Sequence, residues 1–399
     1  LDMGGTSTDV ALIKDGQAII TNDGAFEEYP LNIPMIDVRT IGAGGSSIAY
    51  VDNGGALKVG PESAGAFPGP ACYSQGGDNP TVTDASFVLG YLNKDTFAGS
   101  LDIDIEKSKT AIRNKICKPL GISLIEAALG IHEIVNSNMA QTLRLVSIKQ
   151  GHDPREFALM PFGGAGPIHS GKLAEISSIK QILIPPTPGV LSALGLMLAP
   201  IQHESMASYE KNTKDSSWKE IKALFSNLDK ECSDRMKEDR VLNKEVTKNY
   251  FIEMRYVGQS HEIEVPLAAK INKNLIEDAE SLFHEIHQNT YSYSDKSANV
   301  EFVTLRTVHQ KLSQERSILE KAPRIIKKKI NKTYREVCFS KKTGYKKIPI
   351  YKRADLTWGA ELKGPAIIEQ SDTTTILHQN HFLKVDKFNN LIIEVPSTQ

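Results

Sequence analysis

The sequence predicts an α/β lobe over residues 1–205 followed by an α+β domain over residues 206–399. Three observations predict it. The first half is glycine-rich and alternates short strand signals with helical ones. Near residue 205 the composition shifts to a charged, helix-patterned stretch. The C-terminal end then returns to β-type runs at 366–369, 373–377 and 391–395. A chain of 399 residues has room for two or three domains of ordinary size, and no internal repeat stands out.

Within the first lobe, a strand ending at Met3 is followed by β-type runs at 10–13 and 17–21, split by the turn signal Lys14-Asp15-Gly16. These predict three consecutive antiparallel strands. Residues 31–90 form a Gly- and Pro-dense insertion, including Gly42-Ala-Gly-Gly45 and Pro68-Gly-Pro70; so long a loop region is usually functional or partner-facing. Thr83 or Asp84 can cap a short helix that ends at Gly90. Ser123 with Glu126 forms a capping box ahead of a long amphipathic helix, with Leu129, Val135, Met139, Leu143 and Val146 at helical spacing on its core face. Residues 157–161 read as a short buried strand and 182–184 as another. Between them, Gly163-Gly164-Ala-Gly166-Pro167 turns into a helix. In the second domain, Trp218, Ile221, Phe225 and Leu228 mark a helix, residues 250–265 a hairpin turning at Val257-Gly258-Gln259, and residues 273–290 another helix.

Composition narrows the function classes. Hydrophobic residues at 40% and charged residues at 24% fit an ordinary soluble globular protein. Lys plus Arg (47) balances Asp plus Glu (48), so no bulk charge draws in nucleic acid or an anionic membrane. No apolar run reaches the roughly 20 residues of a membrane-spanning helix, and no signal peptide is visible. Cys72, Cys117, Cys232 and Cys338 lie far apart without a C-x-x-C pair, which predicts reduced thiols and a cytoplasmic setting.

Two glycine clusters carry the chemistry. In Asp2-Met-Gly-Gly-Thr-Ser-Thr-Asp9, Gly4 and Gly5 let backbone N–H groups approach an anion, while Thr6 and Ser7 add hydroxyl donors. Asp2 and Asp9 flank the turn and are the candidate catalytic and metal residues, since Mg²⁺ favours carboxylates plus water. Read alone, the run fits a plain glycine hairpin equally well. The second cluster shifts the balance: Gly163, Gly164 and Ala165 end a strand, open a helix and suit the base and ribose of a nucleotide. Hairpin with phosphate loop, long helix, then a glycine turn opening another helix is the order of one lobe of the actin, hexokinase and Hsp70-like (ribonuclease H-like) ATPase fold. ATP is the cofactor this order implies, with Mg²⁺.

Other candidates carry less. Gly166-Pro-Ile-His-Ser-Gly171-Lys172-Leu173 approaches a P-loop, but Leu173 replaces the hydroxyl residue and Pro167 removes a backbone donor. Gly42 to Ser47 lacks dinucleotide spacing and is read as a backbone loop near the cleft. His169 is read as a structural histidine and His284-Glu-Ile-His287 as surface helix. His152 and Arg155 sit in a sharp helix end, and the basic stretch 321–347 is read as solvated surface.

Taken together, residues 2–10, Ile41 to Gly45, Val59 to Gly65, Pro68 to Tyr73, Pro80 to Ala85, Gly151 to Arg155, Phe162 to Pro167 and Gly364 to Glu369 resemble the hydantoinase A/5-oxoprolinase family, to which ketone carboxylase subunits also belong. The resemblance runs nearly end to end. It implies an ATP-dependent subunit that phosphorylates an amide oxygen so that water can open a cyclic amide such as hydantoin or 5-oxoproline, with a hydantoinase B-type subunit or domain as partner. It places Asp2, Gly4, Gly5, Thr6 and Asp9 in a second-lobe phosphate motif and Gly163, Gly164 and Ala165 in an adenosine motif. Because the chain opens on Leu1, almost on the motif itself, it is expected to be the second lobe plus C-terminal domain. The N-terminal lobe of the same subunit would be a further partner, and the isolated piece is expected to be inactive. Ketone carboxylation, on an enol phosphate, is the alternative chemistry; a non-catalytic binding module is the alternative of another class. A homo-oligomer is compatible with either.

Overall fold

A computed structural model describes residues 1–21, 24–26, 29–31, 35–97, 99, 101–268, 271–311 and 330–396. The fold is mixed α/β. By packing, the described chain gathers into two compact units: residues 1–194 with 330–396, and residues 195–311. The boundary expected near residue 205 lies inside the strand Ile201–Asn212.

In the first unit, Asp2–Met3 and Thr8–Ala11 pair antiparallel, and Val38–Ile41 adds to the second of them. The expected third strand at 17–21 does not join this sheet. Among the described residues Gln17–Ala18 pairs only with Ile13–Lys14, across a tight turn in which Asp15 and Gly16 both have positive φ. The loop that follows Val38–Ile41 explains the exchange. Its backbone bonds to the opening turn and carries the preceding strand into place. Ser47–Val51 and Leu57–Ser63 form a hairpin within the Gly-rich insertion, whose residues 32–34 lie outside the described chain.

The helix Val82–Val88 is capped by Thr81 rather than Thr83 or Asp84. Thr81 accepts from the Asp84 N–H, and the Asp84 carboxylate returns to the Thr81 backbone. The Ser123–Glu126 capping box opens the helix Leu124–Val146, as the sequence predicts. Ala127, Ile131, Val135 and Met139 on its core face are fully buried. Ala158–Leu159 and Gln181–Ile184 are parallel neighbours in a five-stranded sheet completed by Leu391–Glu394, Phe382–Val385 and Glu361–Lys363. A four-stranded sheet, ordered Lys332–Cys338, Tyr345–Lys352, Ala366–Glu369, Thr374–Leu377, lies in the same unit. The basic stretch read as solvated surface therefore contributes two paired strands; its residues 321–329 lie outside the described chain.

The second unit has the order strand, helix, strand, strand, helix, strand. Its antiparallel sheet runs Ile201–Asn212, Val300–Lys311, Thr247–Tyr256, Ile263–Leu267. The helix Trp218–Glu238 buries Ile221, Phe225, Leu228, Cys232 and Met236, a stripe at helical spacing. The helix Leu275–Tyr291 buries Leu275, Ala279, Phe283 and His287. His287 is thus a core residue, donating from Nδ1 to the Tyr293 carbonyl at 2.8 Å, and not part of a surface face. No described helix is long and apolar enough to cross a membrane.

Candidate active site

The opening hairpin is built from buried anchors and an exposed turn. Met3, Thr8 and Val10 are buried, whereas Gly5 and Thr6 are exposed and Gly4 and Ser7 half-buried. The turn closes with the Gly4 N–H on the Ser7 carbonyl at 3.1 Å. Asp2 and Asp9 are register partners on adjacent strands, so the two carboxylates that flank the turn come together. Ser192 Oγ donates to Asp2 Oδ2 at 2.9 Å, and Thr40 Oγ1 donates to Asp9 Oδ1. These bonds engage one oxygen of each carboxylate.

The Gly42–Ser47 loop braces this turn from behind. The Gly45 N–H donates to the Gly4 carbonyl at 3.0 Å and the Ser46 N–H to the Gly5 carbonyl at 2.6 Å. Thr8 Oγ1 donates to the Ala43 carbonyl. A side chain at Gly44 would put its Cβ 2.6 Å from the Gly5 backbone, so the close approach requires glycine. Thr83 in turn bonds the Gly45 carbonyl through both N–H and Oγ1, each at 2.8 Å.

The second glycine turn lies against the first strand. The Met3 N–H donates to the Phe162 carbonyl at 3.0 Å and the Ala165 N–H to the Met3 carbonyl at 3.0 Å. Gly163 has φ +80°, and a Cβ there would sit 2.4 Å from Asp2 Oδ1 and from the Met3 carbonyl oxygen. Ala165 leads into the helix Gly166–Ser177, with Pro167 in its first turn. Two motifs separated by some 160 residues of sequence are therefore joined by direct backbone bonds.

A cavity of about 360 Å³ opens beside both turns. Gly4, Gly5, Gly45 and Gly164 give it one backbone-lined side. Tyr73, Val82, Leu92, Phe97 and Ile168 make it apolar elsewhere. Ser86, His169 and Asp372 bring polar groups. The volume is near the low end of small-molecule sites, which run from about 300 to 1,000 Å³.

The Tyr73 wall is fixed by Asp84. This fully buried carboxylate accepts from the backbone of Ala71, Cys72 and Thr81 and from the hydroxyls of Thr81 and Ser108. Charge-assisted bonds to backbone N–H groups are among the stronger ones, and here they tie Pro70–Tyr73 to the start of a helix. Burial pushes the Cys72 thiol beside it well up, so that cysteine stays protonated.

Two histidines stack under the cavity. The rings of His132 and His169 lie 4.9 Å apart at 20°. His132 Nε2 pairs with Ser86 Oγ at 3.0 Å, and His169 Nδ1 donates to Asn136 Oδ1 at 2.8 Å. Burial, with neighbouring imidazoles adding to it, holds His132 well below the usual histidine value and His169 down to about 3. Both rings are neutral at physiological pH.

Asp372 is a further carboxylate at the cavity. Its Oδ2 accepts from the Gly189 N–H at 2.8 Å, while Oδ1 is buried with no partner among the described residues. Thr373 Oγ1 donates to the Gly164 carbonyl at 3.0 Å. The local sequence gives Asp372 only as a turn between two β runs. Ser86, Asn136, Tyr73 and Phe97 likewise carry no signal of their own, because the cavity draws them from distant elements. His152 and Arg155 line a different surface cleft, where Arg155 is held by Asp153. Lys172, in the near P-loop run, pairs with Glu175 on its own helix.

Among the described residues no group of three or more His, Cys, Asp or Glu side chains is arranged to hold a metal. Side by side on paired strands, Asp2 and Asp9 are the residues that would hold such an ion, which as Mg²⁺ takes one or two carboxylates and otherwise water.

Residues 1–205 match the family model described as Hydantoinase/oxoprolinase, and residues 208–394 match the Hydantoinase/oxoprolinase C-terminal domain. Caprolactamase subunit alpha of Pseudomonas jessenii is 36% identical over 383 residues, covering 94% of this chain and 55% of that one. The crystal structure of ATP-dependent caprolactamase from the same organism superposes with a TM-score of 0.80 at 34% identity, over 99% of this chain and 58% of that one. A nucleotide-free structure of acetone carboxylase superposes with a TM-score of 0.84 at 25% identity, again over 99% and 58%. 5-Oxoprolinase 1 of Arabidopsis thaliana is 28% identical over 426 residues, covering 100% of this chain and 32% of that one. The chain thus spans just over half the length of the caprolactamase and acetone carboxylase chains, and about a third of the oxoprolinase.

Proposed function

We propose, for a chain that belongs to the hydantoinase/oxoprolinase family, that it carries the ATP-binding residues of an enzyme that opens cyclic amides. One observation carries the reading: Ala165 and Phe162 bond directly to Met3, so the two glycine turns share one wall of a cavity. The lobe is read as one half of an actin- and hexokinase-like ATPase. In it the Gly4–Ser7 turn cradles phosphates, Gly163–Ala165 lies against adenosine, and Asp2 with Asp9 holds hydrated Mg²⁺. Bound there, the ion would neutralise charge that builds on the phosphates during transfer.

The carbonyl oxygen of the cyclic amide attacks the γ-phosphorus. The bond to the β-phosphate oxygen breaks, ADP leaves with the electron pair, and the ring nitrogen releases its proton. The product is an imidate phosphate, a far better electrophile than an amide. Water then adds at carbon on a hydantoinase B-type partner, the ring C–N bond breaks as the nitrogen takes up a proton, and a second water cleaves the resulting acyl phosphate to carboxylate and phosphate. Caprolactamase and 5-oxoprolinase among the relatives support this chemistry. The likeness to acetone carboxylase supports a second reading, phosphorylation of a ketone enol followed by carboxylation.

The test is ADP release by the complete gene product with its B-type partner. Stimulation by a lactam, hydantoin or 5-oxoproline is expected, together with at least a tenfold loss of ATP affinity in Asp2→Ala, from loss of a metal-ligating carboxylate. No stimulation by any cyclic amide, with bicarbonate-dependent turnover on a ketone instead, would overturn the hydrolase reading in favour of the second.

A further inference from the structure

We propose that the cavity beside the opening hairpin seats the cyclic amide itself, and that His169 selects it by accepting the ring N–H on Nε2. This rests on the hairpin being the phosphate loop, and it adds the substrate's orientation and a specificity-determining residue.

The cavity has two chemically distinct sides. Gly4 and Gly5 present backbone to a phosphate and to the oxygen that attacks it, while Tyr73, Leu92, Phe97 and Ile168 suit the methylenes of a small ring. His169 lines the same space and is 1% exposed. Its Nδ1 donates to Asn136 Oδ1, which fixes the tautomer and leaves Nε2 as the lone-pair nitrogen. Its ring cannot easily turn, because it stacks on His132, itself held by Ser86.

The protonation state fits the role. Burial keeps His169 neutral far below physiological pH, so the ring offers a lone pair and not a cation. As the amide oxygen attacks phosphorus, the nitrogen gains positive character and its proton becomes acidic. An acceptor already in place stabilises that change without reorganisation. A ring so weakly basic would hold this proton in a hydrogen bond rather than keep it, so His169 is a positioning and selecting residue. Ketones and N-alkyl lactams offer no such hydrogen, and an acceptor left unpaired in a buried pocket disfavours them.

The experiment compares a lactam with its N-methyl analogue, by kcat/KM for lactam-stimulated ADP release, in the complete gene product with its B-type partner. The wild type is expected to favour the N–H lactam by roughly tenfold or more. His169→Phe should raise KM for the lactam by about tenfold and bring the two substrates nearly level, leaving KM for ATP within about twofold. His169→Gln, which offers an amide oxygen as acceptor, should restore part of the preference. Asn136→Leu, which frees the tautomer, should lose part of it; both serve if His169→Phe does not fold. A wild type indifferent to N-methylation, or a His169→Phe preference equal to that of the wild type, overturns the proposal. Absence of any lactam-stimulated ADP release in the wild type would sink the phosphate-loop reading as well, and so is told apart.

Discussion

Gly163→Ala is the sharpest probe of the contact between the two turns. The new Cβ would stand 2.4 Å from Asp2 Oδ1 and from the Met3 carbonyl oxygen, and 2.8 Å from the Met3 carbonyl carbon. Two of those three atoms are backbone, so a side-chain rotation cannot relieve the overlap. Alanine at φ +80° adds the left-handed penalty, about 1–2 kcal/mol. Overpacking of a well-filled site adds roughly 1–3 kcal/mol, giving a total of about 2–5 kcal/mol. Gly164→Ala is the internal control, since its Cβ meets only the Asp372 carbonyl at an ordinary 3.7 Å and its φ is not positive. The chain has two tryptophans, Trp218 in the second unit and Trp358 in the first. Urea unfolding followed by fluorescence in a Trp218→Phe background therefore reports on the first unit alone. The expected result is a clear loss of stability in Gly163→Ala and near-neutral stability in Gly164→Ala. Equal stability in the two variants would refute the reasoning.

Two further predictions concern the cavity's support. Asp84→Ala strands buried N–H and hydroxyl donors at the Tyr73 wall and should destabilise the first unit by about 3–5 kcal/mol, read by the same fluorescence assay. Two histidines make stability pH-dependent. His169 drops from 6.5 to about 3 on folding, and the half-buried His378, just past the strand Thr374–Leu377 and packed against Phe339 and His381, drops from 6.5 to about 4, both chiefly through loss of hydration. The unfolded chain then binds more protons between those values, so the contribution is fully present above pH 6.5 and falls as the pH is lowered towards 3–4. Each should lose about 2 kcal/mol between pH 6.5 and 5; His169→Gln should flatten the fall in unfolding midpoint across that interval, and an unchanged slope would count against it.

Local chemistry was readable where a few consecutive residues suffice. The hairpin Asp2–Asp9, the Ser123–Glu126 capping box, the hairpin of residues 247–267 and the helix opened at Gly166 all follow from turn, cap and periodicity signals. The third strand of the opening sheet was not readable. Val38–Ile41 outcompetes the nearer run through backbone bonds of the Gly42–Ser47 loop, and such bonds leave no mark on side-chain pattern. His287 sits on a helix whose flanks are polar, so its inward direction depends on Tyr256 and Tyr293 from elsewhere in the second unit. The cavity is the extreme case. Its glycines announce themselves, but Ser86, His169 and Asp372 meet only once three distant stretches have folded.

The five-stranded sheet has a consequence for the order of events during synthesis. Gln181–Ile184 finds its antiparallel neighbour only at Leu391–Glu394. About 200 residues must therefore leave the ribosome before that strand is covered, roughly 10–40 s at 5–20 residues per second. Throughout that interval Ile182 and Ile184 wait beside an open edge, while residues 195–311 already hold everything needed for their own sheet and core. The intervening unit is thus expected to fold first, and the early part of the chain to need shielding, by a chaperone or a bound partner, until its last strands arrive. Released chains ending near residue 320 and near residue 395 should differ accordingly, with protease resistance of residues 1–194 appearing only in the longer one.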